Sequence, residues 1–391
     1  MGGGLMQLVA YGAQDIYLTG NPQITFFKVV YRRHTNFSME AIEQTWNGSS
    51  TANGRCTATI SRNGDLVSKL YLEVTPTCVA NYNNPGSAAI TTVEVEIGGQ
   101  RIDRHSGRWL ETWAELTQEN PNGAHGTAGA LTGTRFQNMS GMGGVIASTN
   151  TVPLFIPFQF WFCRNPGLAL PLIALQYHEV KIIMEHNMTA ALTSTETKLW
   201  ADYIYLDTDE RRRFAQVSHE YLIEQVQEEN CGKVTSKELN FNHPVKELIW
   251  TAATDGATGV AGGTDYTTLV QPMGTVGDTV QLKLNGHDRF AARDSRYFSR
   301  VQVHDYHSGA GGIDSNGAAA LGGAFNDSIG VYSFALKPEE HQPSGTCNFS
   351  RIDNAELKFS AALSSTNVSI FAVNYNVLRI MSGMGGLAYS N

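Results

Sequence analysis

The chain has 391 residues and a net charge of −8, from 28 basic and 36 acidic residues, and its charged fraction is only 16%, against about 25% in an average globular domain. No block of Lys and Arg stands alone, because the densest run, Arg211-Arg212-Arg213, directly follows Asp207, Asp209 and Glu210. Neutralising a phosphate backbone needs uncompensated positive charge, so composition argues against direct packaging of nucleic acid.

Length alone suggests two or three domains at roughly 150 residues each. Cys56, Cys78, Cys163, Cys231 and Cys347 are widely spaced, with no CxxC pair. That pattern fits neither a disulfide framework nor a zinc site and points to a reducing compartment. No signal peptide and no apolar run of membrane-spanning length is present. Met1-Gly2 opens like a myristoylation site, but Met6 stands where Ser or Thr is required. The sequons at Asn36, Asn47, Asn138, Asn187, Asn326, Asn348 and Asn367 then read as coincidences of an Asn- and Ser/Thr-rich chain.

Along the chain, strict alternation dominates. Val93, Val95 and Ile97 fall on one face of an extended run and Glu94 and Glu96 on the other. Glu179 to Ile182, Val280 to Leu284 and Glu356 to Phe359 repeat the pattern. A period of two marks a half-buried strand. Asn21-Pro22, Asn63-Gly64-Asp65, Asn84-Pro85-Gly86 and Asn285-Gly286 supply the turns. One helix is expected, over Ser106 to Thr117, with Ser106 as its cap. Trp109, Leu110, Trp113 and Leu116 share a face of it, and this stripe reads as core packing rather than a ligand platform. Three long Gly-rich stretches, 117–150, 252–278 and 304–328, read as loops at one end of a β scaffold.

The chain also carries a faint duplication. Lys69-Leu70-Tyr71-Leu72 resembles Lys246-Glu247-Leu248-Ile249, and Arg108-Trp109-Leu110 resembles Arg296-Tyr297-Phe298. Glu179 to Ile182 resembles Glu356 to Phe359, and Trp200 to Tyr203 resembles Phe371 to Tyr375. The pairs keep their order at separations of roughly 171–188 residues, which is the mark of two related lobes. Met139 to Gly144 recurs as Met381 to Gly386, but at a different separation, and reads as two similar flexible turns. The lobe boundary is expected at Asp207 to Arg213, read as a short salt-bridged turn between one strand ending at Leu206 and another beginning at Ser218. Each lobe has seven or more strand-like runs, as sandwiches and jelly rolls do.

Catalytic signatures are few. There is no GxSxG elbow and no GxxxxGK phosphate loop. His178-Glu179 and His219-Glu220 begin like HExxH but lack the second histidine and lie in strand-like sequence. Gly383 to Ala388 fits GxGxxA with no helix or second strand after it. His304-Asp305-Tyr306-His307 is the most metal-like cluster, yet with no further ligand in sight it reads as a surface loop. Asp314-Ser315-Asn316-Gly317 starts like a calcium loop without the rest. A glycosidase carboxylate pair stays open from sequence, because any two acids can meet in space. No catalytic, cofactor-binding or metal residue is assigned.

Several long segments carry a resemblance. Ala13-Gln14-Asp15-Ile16-Tyr17-Leu18-Thr19-Gly20-Asn21-Pro22 leads into Thr25-Phe26-Phe27-Lys28-Val29-Val30-Tyr31-Arg32-Arg33-His34-Thr35-Asn36-Phe37. Ile156-Pro157-Phe158 begins a run ending Asn165-Pro166-Gly167-Leu168-Ala169-Leu170-Pro171, and Asp202 to Arg211 closes the first lobe. With Ser344 to Asn354, these closely resemble the double jelly-roll major capsid proteins of nucleocytoplasmic large DNA viruses, the phycodnavirus, iridovirus and mimivirus group.

The resemblance implies an all-β chain of two tandem eight-stranded antiparallel jelly rolls with long loops and a few short helices. Residues 1–23 would form an N-terminal arm, 24–210 the first jelly roll and 211–391 the second. Three chains would make a pseudo-hexagonal capsomer, and capsomers would tile an icosahedral shell around an internal membrane and a double-stranded DNA genome. The arm would meet minor capsid proteins and the internal layer, and the outer loops could carry glycans or touch a host. No enzyme activity, cofactor or direct DNA contact is expected, and assembly would take place in the host cytoplasm. A jelly-roll carbohydrate-binding or adhesin protein is the alternative.

Overall fold

The computed structural model describes residue 4 and residues 12–77, 82–83, 85–118, 135–142, 145–146, 152–188, 192, 196–253, 269–270, 277–309, 311, 327–363 and 367–389. The chain divides into a small unit, Met1–Asn36, and a large one, Phe37–Asn391. In the small unit a helical turn, Ile16–Thr19, is followed by extended chain. Tyr17, Leu18, Phe26, Phe27, Val30 and Tyr31 there are all exposed.

Alternation in the large unit becomes four main sheets of five, five, seven and five strands among the described residues, and eight strands of each lobe share one order. The first lobe has β1 (Phe37–Gln44), β2 (Gly54–Thr59), β3 (Leu66–Thr75), β4 (Ile90–Ile97), β5 (Gln100–Ser106), β6 (Leu154–Pro157), β7 (Val180–His186) and β8 (Glu196–Leu206). The second has β9 (His219–Cys231), β10 (Ser236–Glu238), β11 (Pro244–Ala253), β12 (Thr279–Leu284), β13 (His287–Asp288), β14 (Ile329–Ser333), β15 (Ala355–Phe359) and β16 (Asn367–Met381). One sheet of the first lobe runs β1-β8-β3 with β6 also on β3, and the other runs β2-β7-β4-β5. The second lobe repeats both orders, as β9-β16-β11 with β14 on β11, and β10-β15-β12-β13. Every pairing among these strands is antiparallel, and two such sheets per lobe make a jelly roll.

The duplication extends to irregularities. On β3 the register against β8 jumps from Lys69–Asp202 to Val67–Tyr203, leaving Ser68 as the extra residue. On β11 the register against β16 jumps from Glu247–Val373 to Val245–Asn374, leaving Lys246. Both hairpins that follow β4 and β12 turn on two residues at positive φ, Gly98-Gly99 and Asn285-Gly286, the backbone that favours Gly and Asn. Counting from the shared register jump, Trp200 corresponds to Phe371, Leu72 to Trp250 and Lys69 to Glu247. The sequence match of Lys69 with Lys246 is therefore one residue out, and in a strand that slip exchanges the two faces. Val180 pairs with Ile97 as Ala355 pairs with Leu284, so the match of Val180 with Leu357 is two residues out, which preserves the face.

Three helices matter. α1 (Gly107–Thr117) is capped by Ser106, whose hydroxyl accepts from the Trp109 amide at 3.2 Å. Its aromatic stripe is buried, as expected, but so is every other residue from Gly107 to Leu116. A helix buried all round lies between two apolar bodies, not on a surface. α2 (Thr208–Gln216) replaces the salt-bridged turn expected at the boundary. Asp207 accepts from the Thr208 amide, Asp209 and Glu210 occupy the first turn, and Arg213 the last, an order that complements the helix dipole. Arg211 pairs outside the run, with Asp65 at 3.0 Å. α3 (Gln302–Tyr306) follows a π turn at Tyr297–Val301. Met381 to Gly386 is a tight hairpin whose turn, Ser382-Gly383, has positive φ at both residues. Met139-Ser140 instead ends a helix, Arg135–Ser140. Much of the three Gly-rich stretches, and all of Asp314 to Gly317, lies outside the described residues.

Among the described residues two large hydrophobic cores result, beside a small cluster of Leu66, Ala169 and Ile204. One gathers the inner faces of the first lobe (Leu70, Leu72, Val93, Val95, Ile182, Leu199) and continues into Ile249, Ile329, Val331, Phe371 and Val373 of the second lobe. The other is the second lobe's own interior, with Leu248, Trp250, Leu282, Leu357, Ile370 and Ala372. Strand β11 thus buries both faces, Leu248 inward and Ile249 toward the first lobe, whereas β3 buries Leu72 and leaves Tyr71 half-exposed. Burial of such side chains contributes about 1.5–3 kcal/mol each. Alanine substitutions should read this directly. Leu72→Ala, Leu248→Ala and Ile249→Ala are each expected to cost about 2–5 kcal/mol in denaturant unfolding, as buried large-to-small changes do. Tyr71→Ala should cost distinctly less. Equal losses at Tyr71 and Ile249 would contradict the assignment of faces.

Candidate functional site

The feature that distinguishes this chain from two separate sandwiches is the junction between its lobes. It is built from α1, β5 and the helical turn Trp161–Arg164 on one side. On the other are β9, β11, β16 and the segments after α3 and β14. Trp109 packs its ring against Phe371 at 5.2 Å between centroids. Arg108, next to it, donates to the Ser369 hydroxyl at 2.5 Å. At the edge of β9, the Gln225 amide donates to the Ile102 carbonyl, and the Val226 N–H donates to Asp103 Oδ1 at 3.2 Å.

The C-terminus of α1 ends in the second lobe. Its last carbonyls lack partners within the helix. Gly311 N–H donates to the Glu115 carbonyl and Gly309 N–H to the Leu116 carbonyl, both at 2.8 Å, and Ser308 Oγ reaches the Thr117 carbonyl at 3.1 Å. A Cβ on residue 309 would lie 2.4 Å from the Glu115 oxygen, so only glycine allows this approach.

Beside the cap lies a buried set of charges. Glu224 of β9 receives Lys246 Nζ at 2.6 Å on Oε1 and Arg164 of the first lobe at 3.0 Å on Oε2, with the His341 ring 3.5 Å away. Burial pushes the Glu224 carboxyl up, but Arg164, His341 and Lys246 outweigh it and hold it at about 2. Burial lowers the Lys246 ammonium below the ordinary lysine range, against the pull of Glu224. The Arg164 guanidinium lies over the Trp113 ring at 4.9 Å. His307 stands edge-on to the same ring at 6.5 Å. Its two nitrogens meet Glu247 and Glu339, each at 3.0 Å. Burial disfavours its charged form, but the two carboxylates reverse this and raise it to about 9. With His307 protonated, Arg164, Lys246 and His307 match Glu224, Glu247 and Glu339, and a buried charge set survives only when so matched.

This corrects the reading of His304 to His307 as a surface loop. His304 and Asp305 are exposed on α3, 3.1 Å apart, while His307 turns into the junction. Among the described residues no group of His, Cys, Asp and Glu is placed to hold a metal ion. A cleft of about 510 Å³ opens where Trp113, Arg164 and Glu339 approach Lys69 and Tyr71. Among the described residues Glu339 is the one carboxylate that lines it, and it is already bonded to His307 and Ser308, so no two described acids face each other there as in a glycosidase. His219 opens β9 and bonds the Phe214 carbonyl, and His178 bonds Gly385. His219-Glu220 opens β9, and His178-Glu179 directly precedes β7. None of the junction's charged residues carries a local sequence signal, because Glu224 and Lys246 sit in ordinary alternating strands and meet Arg164 only through the fold.

Two jelly rolls of one strand order, fused through a buried junction, define a double jelly-roll shell protein. Residues 25–207 match the family described as major capsid protein N-terminus, and residues 210–386 the family described as large eukaryotic DNA virus major capsid protein. The major capsid protein of Pyramimonas orientalis virus is 53% identical, with all of both chains covered. That of Paramecium bursaria Chlorella virus 1 is 40% identical, again with full coverage. The solved structure of that virus's VP54, fitted into a reconstruction of the virophage Sputnik, aligns at TM-score 0.77 and 36% identity, over 94% of this chain and 100% of that one. The Faustovirus major capsid protein, at TM-score 0.60 and 14% identity, shares the fold. The chain belongs to the major capsid proteins of large eukaryotic DNA viruses. It is a structural protein of the virion capsid, not an enzyme.

The junction makes two expectations. Lys246→Met leaves Glu224 with fewer partners and should cost about 3–5 kcal/mol in unfolding free energy, the loss typical of breaking a buried pair. The folded value of His307, about 9, exceeds its reference value of 6.5. Its contribution is therefore complete below pH 6.5 and disappears as pH rises through about 9. The melting temperature should fall over that window in the wild-type chain and fall less in His307→Gln. Equal pH profiles would contradict the charged junction.

Proposed function

We propose that three copies of the chain form a capsomer of six jelly rolls with a nearly hexagonal outline, and that such capsomers tile an icosahedral shell. The observation that carries this reading is the repeated strand order of two lobes fixed by one buried junction. Equal blocks rigidly paired within a chain give six equal blocks from three chains, and a closed ring can then tile through a second set of weaker edge contacts. The match to the quasi-atomic model of the Paramecium bursaria Chlorella virus 1 capsid, at TM-score 0.76 and 35% identity, supports it.

In the same reading the domains are residues 24–210 and 211–391, preceded by an arm over 1–23. The arm faces minor capsid proteins and the internal membrane side. The exposed apolar side chains of Ile16, Tyr17 and Leu18 suit a segment that finds its partners only on assembly. Glycans, where present, lie on the outer loops, and assembly takes place in the host cytoplasm. The net charge of −8 suits a shell that does not bind the genome directly.

Light scattering of the purified chain over a dilution series tests the oligomer. A mass of three chains, independent of concentration across the micromolar range, is expected. A monomer throughout would overturn the capsomer and turn attention to glycan binding by a single chain.

A further inference from the structure

The small and large units differ in what they leave bare. Among the described residues 21 large apolar side chains are exposed, and nine of them belong to the small unit, Met1–Asn36. The other twelve are spread from Phe37 to Tyr389, as scattered exposed apolar residues normally are. In the small unit they crowd together. Phe26 is 89% exposed, Phe27 97%, Val29 70%, Val30 80% and Tyr31 84%.

Cations are interleaved with them. Lys28, Arg32 and Arg33 are exposed in the same stretch, and none of the three has an ion-pair partner among the described residues. No Asp or Glu stands between Asp15 and Glu40. Residues 1–36 hold three Lys and Arg against one acid, a net charge of +2, so the rest of the chain carries −10 to give the total of −8. The most apolar exposed stretch is thus also cationic, on a chain that is otherwise acidic.

This combination selects its partner. Aliphatic side chains gain nothing on a phosphate backbone, so the valines argue against nucleic acid. A protein groove takes one face of a peptide, whereas an extended chain sends successive side chains to opposite sides. Val29, Val30 and Tyr31 are consecutive in extended chain and all bare, so both sides ask for cover. The interfacial layer of a bilayer covers both. Rings and branched side chains enter the acyl boundary, and the long stems of Lys and Arg carry their charges to the headgroups. The sign of the charge selects anionic headgroups.

We infer that residues 24–36 bind the surface of a bilayer that contains anionic phospholipid, with Phe26, Phe27 and Tyr31 in the interface and Lys28, Arg32 and Arg33 on lipid phosphates. The inference deepens, and rests on, the reading above in which the N-terminal end of the chain faces the internal membrane side. One such segment holds weakly, and the copies carried by neighbouring chains of a shell add through multivalency.

The test floats the purified full-length chain with vesicles of phosphatidylcholine plus phosphatidylserine and with vesicles of phosphatidylcholine alone. The variants are Arg32→Glu with Arg33→Glu, Phe26→Ser with Phe27→Ser, and Tyr177→Ser as a control on the large unit, where the parent residue is 75% exposed. Thermal melts check folding, and Arg32→Gln with Arg33→Gln replaces the glutamate pair should that chain not fold. The wild type and the control are expected to float with the anionic vesicles and not with the neutral ones. Both double variants should bind at least about tenfold more weakly. A wild type that does not float, or double variants that float as well as it does, overturns the inference. Loss in the arginine pair alone, with duplex DNA bound as tightly as the vesicles, makes the segment a general polyanion site and overturns the lipid assignment. The inward reading is checked separately, by labelling Lys28 on intact and on disrupted particles with a membrane-impermeant amine reagent. Labelling only after disruption upholds that reading whatever the vesicles show, and labelling of intact particles overturns it together with the inference.

Discussion

The outer face of one sheet must be covered, and the rest of the molecule follows from that requirement. The second lobe carries Ile249, Val331, Phe371 and Val373 on the side of its sheet away from its own interior. Exposed, this apolar surface would drive association or aggregation. The first lobe covers it, and to do so α1 gives up the solvent-facing side of an ordinary surface helix. The two jelly rolls are thereby held in a single arrangement, which a building block that repeats many times in a shell requires.

Hydrophobic burial holds the lobes together but does not by itself fix their orientation. The charged set around Glu224 and His307 and the cap on α1 are directional. Glu224 accepts from both lobes at once, and the α1 carbonyls find their donors only when Ser308, Gly309 and Gly311 are in place. A displacement of the lobes would strand buried charge and orphan carbonyls in a low-dielectric site, where each is costly. The charges therefore contribute more to uniqueness than to net stability.

Much of the fold was legible in the sequence. Period-two alternation identified β4, β7, β12 and β15, Asn285-Gly286 identified a hairpin, and Ser106 identified the start of α1. These signals are local, and local physics enforces them. The duplication was visible but misregistered on β3 and β11, because Lys69 and Lys246 attracted the match. Lys69 is in fact an outer-face residue, and Lys246 is the buried extra residue of a bulge. Asp207 to Arg213 was legible as a charge pattern but became α2, since its acids precede its bases in the order that suits a helix. The junction was not legible. Arg164, Glu224, Lys246, His307 and Glu339 are scattered over both halves of the chain, and nothing near any of them announces the others.

The central claim is that the intrachain junction fixes two equivalent lobes and so prepares the chain to close with two copies of itself. Single-particle electron microscopy of the purified, unmodified chain tests it most directly. The account predicts a three-fold particle of six lobes, in which the two lobes of each chain meet through α1 and the charged set around Glu224. Isolated two-lobed particles, or particles in which the outer face of the β9-β16-β11-β14 sheet is open to solvent, would contradict it.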